Sequence, residues 1–138
     1  ATSKKQALQV LSEHASDMTG VPGREIFDTL LQRERLGSTG LGRGIAVPHI
    51  KLVQLEEIVC LFARLSDPID FDAIDDEPVD LIFLLLAPEH ASGDHLKALS
   101  RISRLMRLPA ALDQLRGARN VMEIRDLLTE ARPTPHAA

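Results

Sequence analysis

The chain has no tryptophan, no tyrosine and a single cysteine, Cys60. One cysteine excludes an internal disulfide framework and a cysteine-rich metal site. Its neighbours Ile58, Val59, Leu61 and Phe62 predict a buried, inert thiol. Without Trp or Tyr the chain lacks the stacking aromatics that nucleic-acid binders favour. A formal net charge of −4 also removes a general basic face, so nucleic acid is not an expected partner. Long apolar runs are absent as well. Leu81 to Ala87 is the longest, far below the roughly 18 to 20 residues that span a bilayer, and the start of the chain resembles no secretory signal. A cytoplasmic protein that is not membrane-embedded is expected.

What is present fits an ordinary globular chain. Its 138 residues are 44% hydrophobic and 26% charged, enough apolar material for a core and enough charge for a wet surface. One domain over 1–138 is expected, with 131–138 as a loose tail. Apolar positions Ala7, Leu8, Val10 and Leu11 predict a helix over Lys4 to Ala15, with Ser3 as its cap, ended by Gly20-Val21-Pro22-Gly23. Ile26, Phe27, Leu30 and Leu31 predict a second helix from Arg24 to Arg35. Strands are expected at Gly44 to Val47, Glu57 to Leu65 and Val79 to Leu86, the last apolar enough to be buried on both faces. Asp67-Pro68 reads as a turn before a small strand at Ile69 to Phe71. Helices are expected at Asp94 to Arg107, Pro109 to Gly117 and Asn120 to Ala131, with Lys97, Arg101 and Arg104 on a wet face. Helices, then strands, then helices give an α/β fold, a mixed β-sheet sandwiched by helices.

The segment from Gly40 to His49 carries the densest signal. Gly40-Leu41-Gly42-Arg43-Gly44 lacks the third glycine spacing of a dinucleotide fingerprint and precedes a strand instead of opening a helix. No G-x-x-x-x-G-K-[ST] occurs, so a P-loop is excluded. Pro48 fixes its own φ and pushes Val47 into extended geometry, so His49 leaves the strand in a direction set by the backbone. A side chain aimed in that way is suited to meeting a partner.

Gly42-Arg43-Gly44-Ile45-Ala46-Val47-Pro48-His49 resembles the phosphorylation motif of the enzyme IIA domains of the bacterial phosphotransferase system, in the fructose, mannitol and nitrogen-related superfamily. Upstream, LLQRERLGSTG is similar to the family's helix end and turn. Downstream, the stretch from Pro68 to Leu105 is similar to its later strands and the helix of its second histidine. The resemblance runs from about Ser3 to Leu128. It implies that His49 is the phosphorylated histidine, His95 the second active-site histidine and Arg33 the active-site arginine. One departure is Ile50, where the family often has glycine. The resemblance also implies a short strand before the first helix, so an N-terminal trim is expected.

Neutral imidazole, ordinarily titrating near about 6.5, is a competent nucleophile. Phosphoryl transfer needs in-line positioning and cationic or N–H donors around the equatorial oxygens, which Arg33 supplies as a planar fork. His95, early in its helix, can add a further N–H. By residue type alone Arg33 is a solvated helix-end arginine and Arg35 a rival for its role. Glu89, His90, Asp94 and His95 match no zinc spacing, and Asp70 to Glu77 lacks the Gly and Glu of a calcium loop and reads as a solvated turn. No metal and no cofactor are expected, and His14 and His136 have no evident role. An apolar rim near His49, drawn from Ile50 and Leu52, would suit transient docking.

The phrases ERLGSTG and LLLAPEH are more similar to the nitrogen-related branch. The resemblance implies a regulatory phosphoryl carrier whose partners are an HPr/NPr-like phosphocarrier and the target proteins it controls. The alternative is a sugar-specific enzyme IIA of fructose or mannitol type that passes phosphate to a IIB domain. A binding module without phosphoryl chemistry would not need both histidines and the arginine.

Overall fold

The computed structural model describes residues 3–89, 97, 100, 101, 104 and 108–118. The chain divides into two compact units, Ala1–His95 and Leu96–Ala138.

In the first unit α1 runs Lys4–Thr19, longer than the Ala15 end expected. The Ser3 side chain caps it by accepting from the Gln6 amide at 3.1 Å, as the sequence predicts. Its buried stripe is Ala7, Leu8, Leu11, Ser12 and Ala15; the Ser12 hydroxyl is satisfied by the Leu8 carbonyl at 2.7 Å. Helix α2 runs Gly23–Leu36 and buries Ile26, Leu30 and Glu34. The spacing of four places all three on one face, and its third member is a carboxylate.

Among the described residues the sheet has five strands: β1 (Gly40–Gly42), β2 (Ile45–Ala46), β3 (His49–Leu52), β4 (Val59–Ile69) and β5 (Val79–Pro88). β5 is central, with β4 antiparallel on one side and β2 and β3 parallel to it on the other. β1 pairs antiparallel with β2. Ile45 pairs with Leu81 and His49 with Leu85, so β2 and β3 keep one register on β5 across the break at Val47-Pro48. Across that break the Pro48 carbonyl accepts from Leu85 N at 2.9 Å, while Val47 N turns to the Thr39 carbonyl at 3.0 Å. Pro48 has no N–H to leave unpaired.

As expected, β5 is apolar and buried on both faces: Ile82, Leu84 and Leu86 join the core with α1 and α2, and Leu81, Phe83 and Leu85 are buried opposite. Each such side chain contributes about 2 kcal/mol of burial. The fold class, a mixed α/β sheet with packed helices, is as the sequence predicts.

Three strand expectations change. His49 does not leave a strand; it begins β3, because the register resumes after the proline. Asp67-Pro68 does not turn the chain. It lies in a register irregularity of β4, where Arg64 to Ile69 faces only Leu81 to Val79, a setting that tolerates a residue without a donor. Phe71 is fully buried beyond the end of β4 rather than in a strand of its own. Cys60 is exposed, contrary to expectation. Val59, Leu61, Ala63 and Leu65 pack against the core, and the strand's alternation puts Cys60 on the other face.

In the second unit Lys97, Ser100, Arg101 and Arg104 are helical and exposed, in keeping with the wet face expected there. A helix covers Pro109–Gly117, as predicted, with Pro in its first turn and Leu112 and Leu115 buried. The expected helix at 120–131, the tail at 131–138 and most of the helix at 94–107 lie outside the described residues. No described helix is long and apolar enough to cross a membrane.

Candidate functional site

The site is built where the last turn of α2 meets the first residues of β3. The segment between them is held in an unusual backbone shape. Gly42, Arg43 and Gly44 all have positive φ, at 98°, 58° and 81°. Glycine takes such angles without a Cβ penalty, whereas Arg43 needs external support. Asp75 provides it: its carboxylate accepts from the Arg43 amide at 3.0 Å and from the Glu77 amide at 3.1 Å. The bond from the Arg43 amide, followed by that from Glu77, holds the Asp75 carboxyl below its ordinary value of 3.8. Gly40 approaches Ala73 so closely that an added Cβ would lie 2.8 Å from the Ala73 Cα.

His49 is half-buried at the start of β3. Its Nδ1 lies 2.9 Å from the Val47 carbonyl oxygen. A carbonyl oxygen only accepts, so this geometry assigns the proton to Nδ1 and, in the neutral ring, the lone pair to Nε2. Val47 and Pro48 are both buried, which fixes the carbonyl that holds the ring.

His49 lines a cleft of about 550 Å³ together with Lys51 of β3 and Gln32, Arg33, Arg35 and Leu36 of α2. That volume exceeds what a phosphoryl group requires and leaves room for part of a donor. The structure therefore brings together His49 and Arg33, two of the three predicted site residues. Arg33 is half-buried, and its Nη1 donates to the Gly37 carbonyl at 2.9 Å, which orients the guanidinium. Arg35 shares the cleft but is exposed. His95 lies outside the described residues, as do His90 and Asp94. Among the described residues no group of His, Cys, Asp or Glu side chains is arranged to hold a metal.

Of the expected apolar rim, Ile50 lines the cleft, whereas Leu52 is not among the described residues that line it. Both are buried in the core, because alternation along β3 turns them inward and leaves His49 and Lys51 on the other side. The exposed apolar residue on the cleft is Leu36, at 87%.

Sequence reasoning missed Glu34, Thr39 and Lys4. The buried Glu34 carboxylate accepts from the Thr39 amide at 3.1 Å and from the Thr39 hydroxyl. It also pairs with Lys4 Nζ at 3.0 Å. The signal was available for Glu34: Ile26, Leu30 and position 34 form one helical stripe. With a cation, a fork and an oriented imidazole converging, the cleft can position a tetrahedral anion against a nitrogen lone pair.

Residues 1–131 match the family model described as "Phosphoenolpyruvate-dependent sugar phosphotransferase system, EIIA 2". A nitrogen regulatory protein of Bradyrhizobium diazoefficiens is 55% identical over 126 residues, covering 91% of this chain and 82% of the relative. A fructose-specific EIIA component of Haloferax volcanii is 37% identical, covering 92% and 83% respectively. The crystal structure of nitrogen regulatory protein IIA-Ntr from Neisseria meningitidis superposes with a TM-score of 0.89 at 34% identity, over 93% of this chain and 88% of that one.

Proposed function

Because the chain belongs to the phosphoenolpyruvate-dependent sugar phosphotransferase system EIIA 2 family, we propose that it is a phosphoryl-carrier regulatory protein, accepting phosphate on His49 from an HPr/NPr-like phosphocarrier and controlling target proteins by its phosphorylation state. The observation that carries the reading is the Nδ1 contact to the Val47 carbonyl in a ring that shares its cleft with Arg33. The Nε2 lone pair attacks phosphorus in line. A P–Nε2 bond forms while the bond from phosphorus to the donor atom breaks, and that electron pair leaves with the donor. The remaining N–H groups of Arg33 meet the equatorial oxygens, and Arg35 and Lys51 add positive charge at the cleft. His95 is assigned to onward transfer on the family resemblance. The reading takes residues 1–138 as one functional domain in the cytoplasm, supported by a family match that runs through residue 131.

The regulatory branch is favoured over a sugar-specific enzyme IIA by the higher identity to a nitrogen regulatory protein, 55% against 37% for the fructose component. Incubation with phosphoenolpyruvate, enzyme I and an HPr-like carrier, read by intact mass, tests the chemistry. One acid-labile phosphoryl group, absent from His49→Ala, is expected; an unmodified wild type with active carriers contradicts it. Ready transfer from the phosphorylated chain to a fructose-type IIB domain would instead support the sugar-specific alternative.

A further inference from the structure

We propose that Glu34 is a positioning residue for the His49 acceptor, coupling the arginine-bearing turn of α2 to the backbone that fixes the imidazole tautomer. This rests on the reading of His49 as the phosphoryl acceptor. Glu34 lies between Arg33 and Arg35, yet it points away from solvent, with its side chain 4% exposed. A leucine at that position would extend the stripe of Ile26 and Leu30 without the cost of burying a carboxylate. The carboxylate instead anchors a relay. Its oxygens accept from the amide and the hydroxyl of Thr39, and Lys4 neutralises it. The Thr39 carbonyl accepts from Val47 N at 3.0 Å, and the Val47 carbonyl holds His49 Nδ1 at 2.9 Å.

Each contact in that relay fixes the next. The helix turn that presents both cleft arginines and the strand break that presents His49 are thereby tied to one buried group. When the anchor is weakened, the Thr39–Val47 pairing loosens and Nδ1–H loses its fixed acceptor. The ring then also samples the Nε2–H form, in which the lone pair sits on Nδ1, toward the backbone and away from an incoming phosphorus. A role confined to stability would lower the melting temperature without touching the tautomer.

The test uses the full chain as wild type, Glu34→Gln, Thr39→Val and the conservative Thr39→Ser. Imidazole tautomers are read by long-range ¹H–¹⁵N NMR under alkaline conditions. Phosphoryl acceptance is measured from an HPr-like carrier charged with phosphoenolpyruvate and enzyme I, and from phosphoramidate as a small donor. Wild type and Thr39→Ser are expected to show the Nδ1–H form alone. Glu34→Gln and Thr39→Val are expected to show both forms, with kcat for acceptance about tenfold lower and KM for the carrier within about twofold of wild type. If Glu34→Gln fails to fold, Thr39→Val carries the comparison, since it replaces only a hydroxyl by a methyl. Retention of the single Nδ1–H form in the folded variants, or an unchanged kcat, overturns the proposal. A wild type that accepts phosphate from neither donor would refute the functional reading itself, and the tautomer comparison would still decide the role of Glu34.

Discussion

At the scale of single residues, the proposed phosphoryl acceptance rests on His49 and Arg33, which line one cleft and are each held by a backbone carbonyl. His49 was legible because the sequence around it restricts the backbone: a proline on its N-terminal side and three glycines before that leave few directions for the ring. Arg33 was legible only through the family resemblance, since a helix-end arginine by itself is an ordinary solvated residue. The structure separates it from Arg35 by burial and by its bond to Gly37. Replacing Arg33 by Ala should slow phosphoryl acceptance about 100-fold in rapid-quench measurements, the scale on which an electrostatic partner of a transition state acts. Arg33→Lys should recover little, because an ammonium cannot reproduce a planar fork. Wild-type rates in both variants would remove Arg33 from the site. Glu34 was illegible for a different reason: its charge argued for the surface, and the partner that satisfies it, Lys4, is thirty positions away in sequence at the start of α1.

At the scale of elements, the segment that presents His49 is two short strands sharing one register on β5. The long elements α1, α2 and β5 were legible because their apolar periodicity is continuous. β1 and β3 were not, because at three and four residues they are too short to show a period; β1 is also two-thirds glycine, and Pro48 directly before β3 reads as a break. The turn between β1 and β2 depends on Asp75. Its carboxyl is held below the ordinary value of 3.8, so it contributes stability above that pH and loses the contribution as pH falls through the lowered value. Wild type should therefore melt above Asp75→Asn at neutral pH, with the difference closing once the pH falls below the ordinary carboxylate range. A pH-independent difference would show that the carboxylate charge is not what supports the turn. Gly40→Ala should cost about 2 kcal/mol in urea denaturation, because the new Cβ meets backbone and side-chain atoms of Ala73. A neutral result would mean that the 71–76 segment yields without cost.

At the scale of the folded unit 1–95, the core formed by α1, α2 and the sheet supports the cleft through a small polar centre. Lys4 joins α1 to that centre. Its ammonium is 3.0 Å from Glu34, 3.6 Å from Asp72 and 4.8 Å from the centroid of the Phe71 ring. Lys4→Met should destabilise the chain by about 3 kcal/mol, since it leaves a buried carboxylate without its cation. Lys4→Arg, which keeps the charge, should recover a good part of that loss. A loss of less than about 0.5 kcal/mol for the methionine variant would place the pair among surface ion pairs of little energetic weight.

The most direct test of the account is the position of the phosphoryl group on the ¹⁵N-histidine-labelled, phosphorylated chain. One-bond ³¹P–¹⁵N coupling to Nε2 of His49, with Nδ1 still protonated toward the Val47 carbonyl, is the predicted result. Coupling to Nδ1 of His49, or to a different histidine, would contradict it.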